Sequence, residues 1–298
     1  MSSGIKNTFT IKDLENLSGI KAHTIRIWEK RHCLLSPDRT QTNIRYYDAA
    51  SLQKLLNVKL LNEHGYKLSA IATLSEEKML SLVRQIVSQK SAKIHAISSF
   101  KMAMMNFDQP LFFQTYNALL SEKSFSEVFF EVFVPLMQEI GMLWQTATIT
   151  PAHEHFISYL IRQKILTNIE RIQILEHTRH EKVFVLFLPK DELHDVGLMY
   201  FNYEVTLNGY RSIYLGESVP LESLLEVKHL FANVVYVTYL TVVPSAAELP
   251  DYLRRFREEV MDDTSELWVL GKLAREITPP LPLGVRIFSQ ISEAINEL

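Results

Sequence analysis

The chain has 298 residues with 31 lysines and arginines against 34 acidic residues and a mean hydropathy near zero, which suits two or three soluble domains and excludes fibrous, low-complexity and disordered classes. A single cysteine, Cys33, excludes an internal disulfide framework and any cysteine-built metal cluster, and is expected to be a small, partly buried hydrophobe. No apolar run approaches the roughly 20 residues that cross a bilayer, and residues 1–12 lack the apolar stretch of a signal peptide, so the expected setting is cytoplasmic, with no membrane partner.

Charge is uneven along the chain. Up to Thr73 there are 11 Lys/Arg and 6 Asp/Glu, a surplus of five that leaves −8 for the remainder, as a phosphate-binding module joined to an acidic body would show. Within this basic head, Thr10 is placed to cap a helix with Asp13 at its third position, and Ile11, Leu14 and Leu17 recur at helical spacing. Gly19 supplies the positive φ of a tight turn, after which residues 21–31 restart a helical pattern with Ile25 and Trp28 on its core face. The polar residues 40–43 between short apolar segments predict a β-hairpin wing; Asp48 caps a third helix over 49–64 that ends at Gly65, and 68–74 form a fourth.

The run Thr24-Ile25-Arg26-Ile27-Trp28-Glu29-Lys30-Arg31, with Pro37, Arg39, Arg45-Tyr46-Tyr47, Gly65-Tyr66-Lys67-Leu68 and Ile71, resembles MerR-type DNA-binding domains in order and spacing. The resemblance implies that the second helix enters the major groove of double-stranded operator DNA with His23, Thr24 and Arg26, while Arg39, Arg45 and Tyr46 hold phosphates from the wing. It also implies a homo-oligomer, dimer or tetramer, although no sustained heptad follows Leu74.

From about residue 89 to 179 four amphipathic stretches, carried by Ile94–Met104, Phe112–Leu120, Val128–Ile140 and Phe156–Leu166, predict a four-helix bundle. Beyond it, apolar runs at 182–188, 211–215, 234–238, 267–270 and 285–288 alternate with helical segments at 193–208, 221–231, 246–261 and 289–298. Five continuous apolar strands between helices require a buried parallel sheet, hence a flavodoxin-like doubly wound domain whose site lies beyond the carboxyl ends of its strands. The expected fold is multidomain α and α/β: winged helix-turn-helix (1–75), linker (76–91), four-helix cap (92–180) and doubly wound domain (181–298).

At the end of the first of these strands, Glu192-Leu193-His194-Asp195-Val196-Gly197 resembles the acidic-x-His-x-x-Gly motif of cobalamin-binding domains. The resemblance makes His194 the lower axial ligand of cobalt, Glu192 the group that orients its other ring nitrogen, and Gly197 the point where a displaced nucleotide tail approaches the helix backbone. Thr238-Tyr239-Leu240 resembles the Ser/Thr-x-Leu contact to that tail, Gly271 the glycine after the fourth strand, and Trp144 with Glu154-His155 the signature of a helical cap over the cofactor's upper face. Head, cap and cobalamin-binding domain stand in the order of the light-sensing repressors of carotenoid genes, which implies an adenosylcobalamin cofactor and a regulator rather than an enzyme. Two positions depart from the pattern: Leu270 stands where a first glycine is common, and Gln145 follows Trp144 where the light-sensing members carry a histidine. A cofactor-independent regulator with a degenerate domain that binds another ligand or protein stays open beside the cobalamin reading; the basic head and the lack of a substrate barrel weigh against a methyltransferase or mutase carrier.

Overall fold

The computed structural model describes residues 8–40, 42–86, 92–174, 176–277 and 279–298, and divides into two compact units, Met1–Leu160 and Ile161–Leu298. Helix α1 (Ile11–Ser18) begins in a reciprocal cap: the Asp13 amide donates to the Thr10 hydroxyl at 3.2 Å and the Thr10 amide to the Asp13 carboxylate at 2.8 Å. It ends at Gly19, whose φ of 73° no β-carbon would accept cheaply. Helix α2 (Ala22–His32) buries Ile25 and Trp28, β1 (Asp38–Arg39) pairs antiparallel with β2 (Arg45–Tyr46) as a wing, and α3 (Ala49–Glu63), capped by Asp48 on the Ser51 amide, is followed by α4 (Leu68–Ile71). Cys33 departs from expectation. It takes the left-handed position that closes α2, where its amide bonds the Glu29 carbonyl and its side chain is exposed.

Residues 76–86, read as the start of a linker, instead form α5 (Glu76–Ile86), and 87–91 lie outside the described residues. Met79 and Val83 are buried and α5 packs on α3, so the segment carries an apolar stripe with a surface to cover it, which a free tether lacks. The four expected bundle helices follow: α6 (Ala92–Asn106), α7 (Gln109–Leu120), α8 (Phe125–Val128) continuing through a π-helical turn at Phe129–Phe133 into α9 (Val134–Gln145), and α10 (Pro151–Ile172). Phe112, Phe133 and Tyr116 interlock with Phe100 at centroid distances of 4.9 to 6.3 Å. The division between the two units falls inside α10.

The second unit is a five-stranded parallel sheet: β3 (Arg179–Pro189), α11 (Val196–Leu207), β4 (Tyr210–Val219), α12 (Leu224–Leu230), β5 (Val234–Tyr239), α13 (Leu249–Glu259), β6 (Glu266–Leu270), β7 (Val285–Ile287) and α14 (Ile291–Ile295). Strand order β4-β3-β5-β6-β7 is the doubly wound order expected, with the switch point between β3 and β5. Alternation along β3 divides the core. Val185 and Phe187 pack with Leu249, Leu253 and Phe256 of α13 on one face, while Phe184, Leu186 and Leu188 pack with Leu198 and Phe201 of α11 on the other. The helix expected from residue 193 starts only at Val196, because residues 192–195 are drawn into a different structure. Among the described residues no helix is long and apolar enough to cross a membrane.

Candidate cofactor and nucleic-acid sites

That structure is built on Glu192. It sits in the loop after β3, fully buried, and its carboxylate gathers five backbone amides: Leu193 and His194 at 3.0 and 3.1 Å on Oε1, and Thr241, Val242 and Val243 at 3.1, 2.7 and 2.9 Å on Oε2. The second group comes from the loop after β5, so one side chain staples together the two loops that flank the switch point. Burial alone would raise the Glu192 carboxyl, but the amides of Val243 and Val242, with the His194 ring and amide, hold it down to about 2. It is therefore a fixed anion.

His194 Nδ1 lies 2.5 Å from Glu192 Oε1, donating to it, which fixes the ring tautomer and leaves Nε2 as the free lone pair on a side chain that is 59% exposed. A buried carboxylate behind an open imidazole is the arrangement of a metal ligand and its orienting partner. Among the described residues no three His, Cys, Asp or Glu side chains gather to hold a metal ion by themselves.

The rest of the expected cofactor set falls in two places. Thr238 and Leu240, at the end of β5, are fully buried; the Thr238 hydroxyl has no hydrogen-bond partner, and Leu240 belongs to the core beneath α13. Gly271 (φ 102°) follows β6, where a β-carbon would come within 2.3 Å of the Leu240 carbonyl oxygen. A β-carbon on Gly197 would lie 2.5 Å from the ring of Tyr239, and Leu270 is 1% exposed within the sheet core. The histidine thus fits cobalt ligation, but the space attributed to the tail holds protein atoms. In the first unit, Trp144 (48% exposed) ends α9, and Glu154 and His155 lie in the first turn of α10, where His155 Nδ1 is 3.0 Å from Glu154 Oε2 and Glu154 accepts the Ser158 hydroxyl at 2.7 Å.

On α2, His23 and Arg26 are exposed and Thr24 is half-buried, its hydroxyl 3.5 Å from His23 Nδ1. On the wing, Arg39 is exposed and donates to Asn43 Oδ1 at 2.5 Å. Arg45 and Tyr46 are half-buried, with Arg45 Nε 3.4 Å from the Glu29 carboxylate, which also accepts the Tyr47 hydroxyl. Glu29 thereby joins α2 to the strand that carries Arg45.

The amino-terminal residues 9–78 match the family described as MerR HTH family regulatory protein, and residues 96–166 match the B12 binding domain. The first match covers the winged head, and the second covers the helical bundle from α6 into α10. It is 28% identical over 277 residues to the HTH-type transcriptional repressor CarH of Myxococcus xanthus, covering 91% of each protein, and 22% identical over 222 residues to the HTH-type transcriptional repressor CarA of the same organism, covering 73% of this chain and 71% of that one. Its fold is also similar to that of the Methanosarcina barkeri monomethylamine corrinoid protein, with a TM-score of 0.51 at 16% identity over 68% of this chain and 96% of that one.

The MerR-type head and the residues around His194 contain groups that sequence reasoning missed. Arg162 reaches Asp195 at 2.7 Å and Glu217 at 3.4 Å and donates to the Leu193 carbonyl at 3.4 Å, holding the His194 loop from α10. Burial lifts the Asp195 carboxyl, Arg162 draws it back and Glu217 adds to the lift, while burial and the same two carboxylates raise the Tyr214 phenol, whose hydroxyl is buried without a hydrogen-bond partner. No periodicity signals Arg162; it lies on an ordinary helix 33 residues before Asp195.

Proposed function

We propose that the chain is a DNA-binding transcriptional regulator that reads a cobalamin, with His194 as the axial ligand and Glu192 as the group that positions it. The observation that carries this reading is the Glu192–His194 pair, an open imidazole backed by a buried anion beside the switch point of a doubly wound sheet. A bound cobalamin would be held through the His194 imidazole and would supply a cobalt centre carrying an exchangeable group. Glu192 keeps Nδ1 protonated and Nε2 free; Arg162 keeps the loop in place. Trp144, Glu154 and His155 are the bundle's contribution to the cofactor, and His23, Thr24, Arg26, Arg39, Arg45 and Tyr46 the head's contribution to an operator. Cofactor occupancy controls the association of copies and hence the spacing of two heads on DNA. A regulatory rather than an enzymatic role is supported by the MerR-type head and by the likeness to two repressors.

The test is an absorption titration with adenosylcobalamin in the dark. Wild type takes up the cofactor with the spectral shift of imidazole ligation and His194→Ala does not; equal binding by both removes the ligand assignment. Illumination of the complex, followed by operator binding, then determines whether light is read without a histidine at Gln145. The second reading, a cofactor-free regulator, is favoured by Tyr239 and Leu270 in the tail space, and a protein that takes up no corrinoid at all establishes it.

A further inference from the structure

The cobalamin reading assigns three features to the nucleotide tail, and in this chain each is already accounted for by protein. Gly197, the glycine that would let a tail lie against the start of α11, faces the Tyr239 ring: three ring carbons lie 2.5 to 2.9 Å from where its β-carbon would be. Gly271 is required by the Leu240 backbone, whose oxygen, nitrogen and carbonyl carbon lie 2.3 to 2.9 Å from its missing β-carbon. Leu270, at the position where bare backbone is common, is buried among Leu186, Leu198, Val237 and Trp268. Burial raises the Tyr239 phenol above its ordinary range, as expected for a ring held in the core rather than swinging at the surface. A 640 Å³ cavity of this unit lies elsewhere, lined by residues such as Leu249, Arg254 and Pro282. By contrast, the His194 side chain itself stands open to solvent.

We propose that this chain takes a corrinoid by its cobalt and ring alone, leaving the nucleotide tail outside the protein, with Tyr239 and Leu270 as the residues that set this specificity. The inference rests on the cobalamin reading. Its consequence is a reversed preference. A complete cobalamin gives up its own internal base before His194 ligates and gains no tail contacts in return, whereas a corrinoid with no base gives up nothing.

The experiment titrates the full chain, in the dark, with adenosylcobalamin and with adenosylcobinamide, which lacks the nucleotide tail, and reads affinity by calorimetry and ligation by absorption. Adenosylcobinamide binds at least as tightly as adenosylcobalamin, and both show the His194-dependent spectral shift. In Tyr239→Ala with Leu270→Gly the order inverts, with adenosylcobalamin favoured at least tenfold. A tenfold or greater preference of the wild type for adenosylcobalamin overturns the inference and leaves the cobalamin reading standing. Binding of neither compound overturns both. The wild-type comparison is decisive by itself should the double variant fail to fold.

Discussion

Glu192 is buried whole while His194, two residues on and joined to it at 2.5 Å, stands open to solvent. The pair divides its labour: one residue belongs to the scaffold and the other presents an open imidazole. Glu192→Ala leaves five amides without their acceptor, and a loss of about 3 kcal/mol is expected from buried donors of this kind. Glu192→Gln keeps part of the staple but loses the anion, so corrinoid affinity falls by about tenfold or more while most stability is retained. Urea unfolding and absorption titration of both variants check this, and equal stability of Glu192→Ala and wild type would contradict the staple.

Gly197 and Tyr239 are coupled through space. Gly197→Ala forces the Tyr239 ring or α11 to move and is expected to cost about 1 to 3 kcal/mol. In a Tyr239→Ala background the same change costs less than about 1 kcal/mol, within the range of ordinary exposed substitutions. A double-mutant cycle measures the difference, and strict additivity of the two changes rules out the contact.

In the first unit, Lys101 on α6 is buried, donates to the Leu17 carbonyl at 2.8 Å and pairs with Glu139 of α9 at 2.6 Å. Lys59 of α3 donates to the Ser18 carbonyl at 2.8 Å, so two ammonium groups satisfy the last carbonyls of α1, one from the head and one from the bundle. Lys101→Met strips the Leu17 carbonyl and leaves Glu139 unpaired, and a loss of about 2 kcal/mol is expected. Because the bond ties the first helix of the head to the bundle, denaturant unfolding of the variant also shows an earlier transition for the head, and a single unshifted transition refutes the tie.

His95 lies on the wall of a 570 Å³ cleft, with Lys12, Glu15, Lys59, Lys101 and Glu139 among the other groups lining it, and burial lowers its pKa below 6.5. The unfolded chain therefore binds a proton at a pH where the folded chain does not. Stability from this group is complete above about 6.5 and is lost as pH falls from there through the lowered value. His95→Gln removes this contribution, so the difference in melting temperature between variant and wild type shrinks or reverses on going from pH 7.5 to 5. A difference that is constant with pH disproves the assignment.

Arg26 and Arg39 both stand in solvent on the DNA-binding head, one on α2 and one on the wing. Arg39→Ala is expected to lower affinity for all duplexes alike and to reduce the salt slope of binding by about 1, as loss of one phosphate contact does. Arg26→Ala costs about 1 to 3 kcal/mol on the preferred operator and less on random DNA. Fluorescence anisotropy over a salt series separates the two, and unchanged affinity of either variant counts against its place on the DNA face.

Much of this architecture is legible without coordinates. The Thr10 and Asp48 caps, the Gly19 and Gly65 stops and the alternation of strands with helices are local, encoded within a turn or two of chain. The miss at 76–86 had a local signal as well, since Met79 and Val83 stand at helical spacing, but the partner surface on α3 was needed to give that stripe weight. The Glu192–His194 pair was legible because its members are two residues apart. The late start of α11 was not, because the amides that compete for Glu192 come from residues about 50 positions away.

The sequence by itself determined the parallel sheet and the Glu192-x-His194 motif, because period, cap and motif act over short stretches of chain. Only the tertiary structure decided that Glu192 staples two loops, that Lys101 reaches the end of α1 and that Tyr239 fills the space beside Gly197. Those are encounters between residues brought together by the packing of helices and strands, and no local pattern records which side chain will occupy a space that another residue leaves empty.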